Sequence, residues 1–222
     1  MNRLDAMLTL LFAIGLFQGC WLSVMAARRG APSSLILRAI WSLTGIWVVF
    51  WPLYASPWSR VLALGLFLAV TLAASWSPRP ALRALGEAWS DGFGRPWPML
   101  AFIAALATAA AWSFRFPEFG FGAALAVCLG LPLAHGLDRA GILRLGFPAN
   151  PSQTLPGHLG LVAATAITCG WSLHAWHQIG WLESLTATLL AGLAASALRA
   201  LIIHPFQPPF IAAAIGGVLW AL

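Results

Sequence analysis

Apolar residues in this chain come in long runs separated by short polar stretches, and most of the runs approach the length needed to cross a bilayer. Read in order, they predict eight helical spans, over residues 7–27, 35–55, 61–76, 98–114, 121–135, 156–176, 179–203 and 209–222. The fifth and the eighth are short, which brackets the expectation at seven to nine spans. The fold class that follows is all-α, a polytopic transmembrane helix bundle forming one integral membrane domain over 1–222. Two connections are long enough to be more than turns. Residues 77–97, "SPRPALRALGEAWSDGFGRPW", set Leu82, Leu85 and Trp89 at helical spacing against Arg83, Glu87 and Asp91, which predicts an amphipathic loop helix. Glu87 and Asp91 would share a face of it, either as a carboxylate pair for a metal or as a solvated surface. The second long connection is 136–155.

Composition supports the membrane reading: the chain is 60% hydrophobic and 8% charged, with a mean hydropathy of +0.84, which excludes a soluble domain. All 12 basic residues are Arg, so chemistry that depends on a lysine amine is excluded. The arginines are scattered through the connections rather than gathered into a phosphate-binding stripe, which argues against nucleic acid as a partner. Their distribution orients the bundle. Arg28, Arg29, Arg79, Arg83, Arg95, Arg139, Arg144 and Arg199 fall on one side, and Arg3, Arg60 and Arg115 on the other. By the positive-inside rule both termini lie outside, and 77–97 and 136–155 are cytoplasmic, as in a bacterial inner-membrane protein whose first span is retained. Many of the 13 Trp lie near span ends, where aromatic belts form. Cys20, Cys128 and Cys169 sit inside apolar segments without ligand or disulfide spacing and read as packing residues.

The candidate chemistry concentrates near "NPSQTLPGHLG", residues 150–160. Thr154 is placed to cap a helix whose first turn contains Pro156, leaving the N–H groups of Gly157, His158 and Leu159 at an anion-attracting helix start, or as a plain cap. Arg38 and Arg199 lie within or at the ends of apolar spans, where a guanidinium must find a partner or snorkel. With Arg139, Thr154, Gly157 and His158 they are candidates for a basic pocket that holds a lipid phosphate. Asp138 is a weak catalytic candidate, and beside Arg139 it also reads as half of an interfacial ion pair. His135, His158 and His204 could meet at one vestibule, but no short ligand spacing supports a metal, and none is assigned. Span seven carries Ala187, Ala191, Gly192, Ala195 and Ser196, a stripe of small residues suited to close helix packing or to a partner membrane subunit.

"CLGLPLAHGLDRAG" (128–141), "QTLPG" (153–157) and "HPFQPPF" (204–210), with "LRAIWSLTG" (37–45) upstream, fall in the order and at the approximate spacing of the motifs of a known family. The chain resembles the CTP-dependent polyprenol, phytol and dolichol kinases, membrane enzymes related to phosphatidate cytidylyltransferases. That family has Gly-Asp where this chain has Gly130-Leu131, and Lys and Glu where it has Gln153 and Pro156. Its late Asp-Asn corresponds to His204-Pro205, and its early Lys to Ala39. Arg38, Ala134, Arg139, Thr154, Gly157 and Pro209 keep the pattern. The resemblance implies a lipid-kinase-like frame, and the replaced residues are those that could hold Mg²⁺ or neutralise phosphate, groups whose loss costs orders of magnitude in rate. The expectation is a catalytically silent or re-purposed protein, without a cofactor, that binds a phosphorylated or anionic lipid of polyprenyl type or serves as a membrane subunit. The alternative is a divergent lipid kinase or cytidylyltransferase that uses Mg²⁺ and CTP through Asp138 and a second carboxylate.

Overall fold

The computed structural model of the chain describes residues 2–140, 146–147 and 150–222, so Arg144 and part of the 136–155 connection lie outside the described residues. Among the described residues ten α-helices follow in order. They are α1 (Arg3–Arg28), α2 (Ser33–Val49), α3 (Pro57–Trp76), α4 (Pro80–Ala88), α5 (Trp97–Trp112), α6 (Pro117–Leu125), α7 (Leu131–Ala140), α8 (Leu155–His177), α9 (Trp181–Leu201) and α10 (Gln207–Ala221). A two-stranded antiparallel hairpin, β1 (Gly146–Phe147) and β2 (Asn150–Thr154), precedes α8.

Among the described residues six helices are long and apolar enough to cross a membrane, against the eight spans expected. Among them, α2 is extended by a 3₁₀ turn at Trp51–Leu53, and α6 and α7 form one segment of 24 residues, joined by a π turn at Ala126–Gly130. That segment outruns the expected 121–135 at both ends, because Glu118, Asp138 and Arg139, which read as loop, bond to other elements and continue the helix. The two shortfalls are α5 and α10, apolar helices of 16 and 15 residues, each opened by prolines in its first turn.

Lipid-like surroundings suit the outer surface, where Phe17, Ile167 and Trp220 are exposed, while the interior packs Trp41 flat on Phe102 with ring centroids 4.8 Å apart. The small residues of α9 are used within the chain: Ala191 and Ala195 are fully buried, and a side chain at Gly192 would stand 2.9 Å from the Val162 carbonyl of α8. The loop helix α4 lies against α1 and α3, burying Leu85 and Trp89, whose indole donates to Ser23 Oγ at 3.0 Å. Helix α4 ends at Ala88, so Glu87 and Asp91 do not share a face. Glu87 pairs with Arg83 at the surface, and Asp91, in a left-handed turn with φ 45°, faces the other way.

Polar contacts gather at the two ends of the bundle. At one end, Asp5 of α1 holds the α2–α3 connection, Arg60 of α3 donates to Ser113 after α5, and His177 of α8 meets Glu118 of α6. The other end, formed by the α1–α2, α3–α5, α7–α8 and α9–α10 connections, carries the candidate site.

Candidate functional site

The site is built on the start of α8. Thr154 has extended backbone, and its Oγ1 accepts the Gly157 N–H at 3.3 Å, the cap expected of a Thr placed before Pro156. The same residue turns to α7: its N–H and its hydroxyl both donate to Asp138 Oδ1, at 2.9 and 3.0 Å. A side chain at position 157 would collide with the Asp138 carboxylate, which is why the helix start carries Gly157. Asp138 Oδ2 accepts from Arg199 Nη2, an ion pair between α7 and α9 in which Arg199 is fully buried and Asp138 partly so. The Arg199 carbonyl, among those left open where α9 ends, accepts the amide nitrogens of Gln153 and Gln207 at 3.0 and 2.8 Å, and Gln207 also donates to the Ile202 carbonyl at 2.7 Å. Nearby, His158 Nδ1 and Ser196 Oγ are 2.8 Å apart, linking α8 to α9.

This bonded layer underlies a cavity of about 210 Å³ whose polar lining includes Arg38, Asp91, His135, Asp138, Arg139, Asn150, Ser152, Gln153, His204 and Gln207. His204 Nε2 lies 3.4 Å from Asp91 Oδ2, and the His135 and His204 rings meet edge to face with centroids 5.4 Å apart. The hydrogen bond from His204 holds the Asp91 carboxyl below the usual carboxylate range, aided by the charges of His204, Arg38 and Arg139 and opposed by burial. Arg139 Nη1 donates to Ser34 Oγ at 2.5 Å. Among the described residues, neither Arg38 nor Arg139 has a carboxylate at ion-pair distance, whereas both carboxylates of the cavity are already engaged. The local balance therefore favours an anion.

Of the residues singled out from sequence, Arg38 and Arg139 line the cavity, while Thr154, Gly157, His158 and Arg199 belong to the layer beneath it. Asp138 lies at the boundary of the two. It pairs with Arg199, not with its neighbour Arg139, because adjacent residues on a helix point about 100° apart, sending one to α9 and the other to α2. Sequence reading did not assign Asp91, Gln153 or Gln207 to this site. Gln207 stands at the start of α10 in an otherwise apolar stretch, which is the one local signal it gives, whereas Gln153 sits in the polar run of β2 just before α8 and gives none.

Among the described residues no three His, Cys, Asp or Glu side chains form a metal-holding group. The two carboxylates fit a divalent cation poorly, since Asp138 has both oxygens bonded, one to Thr154 and one to Arg199, and Asp91 Oδ2 faces His204. Compared with known protein families, with curated proteins and with solved structures, the chain matches none.

Proposed function

We propose that the protein is a catalytically silent, polyprenol-kinase-like membrane protein that binds the phosphorylated or anionic head group of a lipid of polyprenyl type. The observation that carries this reading is the pair Arg38 and Arg139 lining a cavity whose own carboxylates are already satisfied. Guanidinium groups so placed suit a phosphate, which they meet with charge-assisted hydrogen bonds. The reading takes all eight apolar helices as spans, with α5 and α10 thinned to fit within the bundle, and both termini outside a bacterial inner membrane. The arginine-rich end, with its cavity, is then cytoplasmic. Lipids extracted from the purified protein should be enriched in one anionic or phosphorylated species relative to the host membrane. Co-purification of zwitterionic bulk lipid alone contradicts the reading.

A second reading has one observation in its favour: Asp91 and Asp138, distant in sequence, share the cavity with two imidazoles. As a Mg²⁺- and CTP-dependent lipid phosphotransferase, the protein would have to free Asp138 from Arg199, with no lysine to receive the phosphate charge. Incubation with Mg–CTP and undecaprenol, phytol or dolichol should give no phosphorylated product. Turnover abolished by Asp138→Asn would instead establish the second reading.

A further inference from the structure

We infer that the protein pairs with a second copy of itself inside the bilayer, helix α1 against helix α1, through reciprocal hydrogen bonds between the two Gln18 amides. The inference goes beyond the head-group reading and does not rest on it.

It starts from two stripes on one helix. Asp5, Leu8, Phe12, Leu16 and Ser23 form the buried face of α1, which packs against α2, α3 and α4. About 100° around the helix, Leu4, Met7, Leu11, Ile14, Gln18 and Trp21 repeat at alternate spacings of three and four, and all of them are exposed. That stripe runs about 25 Å along α1, most of a hydrocarbon thickness of about 30 Å. Its apolar members suit lipid and by themselves need no partner.

Gln18 is the exception. It lies 15 residues after Arg3 and 10 before Arg28, the ends of α1, or about 22 and 15 Å along the axis, so its amide sits in hydrocarbon, away from water at either face. Among the described residues that amide has no hydrogen-bond partner. It borders an apolar cavity of about 380 Å³ between α1 and α2, and the side-chain donors lining the same cavity are used elsewhere. Thr44 Oγ1 donates to the Ile40 carbonyl, and the indoles of Trp47 and Trp89 donate to Tyr54 and Ser23. An exposed amide at this depth therefore calls for a hydrogen-bonding group from another chain, and a lipid tail offers none.

Membrane topology names that chain. Two copies inserted the same way are related by an axis along the bilayer normal, so their α1 helices run parallel and each residue of the stripe meets its own counterpart at the same depth. An amide is its own complement: the nitrogen donates, the oxygen accepts, and two Gln18 side chains across such an axis satisfy each other. A foreign helix would need a polar group at the same depth, whereas a second copy always carries one. A single polar position in an otherwise apolar seam also fixes register and partner number. One turn earlier, Gly15 faces open space, which lets the two backbones approach closely near the amides.

The test reconstitutes two differently labelled pools of the whole protein together in phosphatidylcholine vesicles and follows pairing by energy transfer as the protein is diluted in lipid. Gln18→Leu should weaken pairing about tenfold, and Gln18→Asn, which keeps an amide, should restore part of it. Leucine suits lipid, so the Gln18→Leu protein should unfold no more readily than wild type and should retain anionic lipid as wild type does, which separates this result from the head-group reading. Geometry is read by oxidation in a Cys20→Ala background, the other two cysteines being buried. There Leu11→Cys and Ile14→Cys should crosslink to their counterparts, and Phe17→Cys, exposed but off the stripe, should not. Wild type that stays monomeric at every dilution, pairing that Gln18→Leu leaves unchanged, or crosslinking at Phe17 equal to that at Ile14 overturns the inference.

Discussion

At one end of the bundle Asp5, fully buried, accepts the Ala55 and Ser56 N–H groups and the Ser59 hydroxyl at 2.9, 3.1 and 3.0 Å. At the other, Asp138 accepts two hydrogen bonds from Thr154 and one from Arg199. The two carboxylates are thus matched in number of donors, and what separates them is the surroundings. The donors of Asp5 are neutral groups of the α2–α3 connection and the first turn of α3, so it acts as a staple between the start of α1 and the entry to α3. Asp138 neutralises a buried guanidinium at the edge of a cavity that two further arginines line. A buried, well-bonded carboxylate is therefore no mark of function by itself. The mark is cationic charge left without a carboxylate beside a space that can receive a ligand.

The contrast has unequal consequences on mutation. Arg199→Met leaves Asp138 as a buried carboxylate without its cation and should cost about 3–5 kcal/mol, whereas Arg199→Met with Asp138→Leu should recover most of that. Thermal unfolding in a fixed detergent measures both, and a single variant as stable as wild type would place Asp138 in the same class as Asp5. Asp5→Ala strands two backbone donors and should cost about 2 kcal/mol while leaving anionic-lipid retention untouched. A loss of lipid at constant stability would show that the two ends are coupled.

Acid separates the ends more gently. Asp91 titrates below the usual carboxylate range in the folded protein, so between that depressed value and its unfolded value of about 3.9 the unfolded chain binds more protons. Its contribution is complete above about pH 4 and is lost as pH falls through the depressed value. Partly exposed pairs of this kind contribute about 1 kcal/mol or less. Asp91→Asn should accordingly lower stability above about pH 4 by about 1 kcal/mol or less and flatten the acid limb, while the slope between pH 5 and 8 stays the same. An equally steep acid limb in the variant means that another carboxylate carries it.

Much of the frame was legible because a bilayer-length apolar run and a 3.6-residue period are local signals. The Thr154 cap could be read from Thr154 and Pro156 alone, Arg38 and Arg199 from the rarity of charge in apolar spans, and Arg139 from its place in the motif pattern. Pairing across the fold could not be read. Asp138 has a cation as its sequence neighbour, yet its partner lies 61 residues away on α9. Asp91 looked like the companion of Glu87 until the helix ended three residues before it and the turn sent it to His204. Gln153 stood as a missing lysine in the family pattern, and its amide gains meaning only from the carbonyl at the end of α9 that it caps.

The central claim is that an anion is held by the arginines of the cavity and not by arginine in general. Native mass spectrometry at matched detergent and salt compares wild type, the double variant Arg38→Gln/Arg139→Gln, and Arg115→Gln, which removes an exposed charge after α5 at the opposite end. Loss of the two charge-assisted contacts should lower retention of the anionic lipid by about one to two orders of magnitude in the double variant and leave it unchanged in Arg115→Gln. Equal retention in all three proteins would contradict the account.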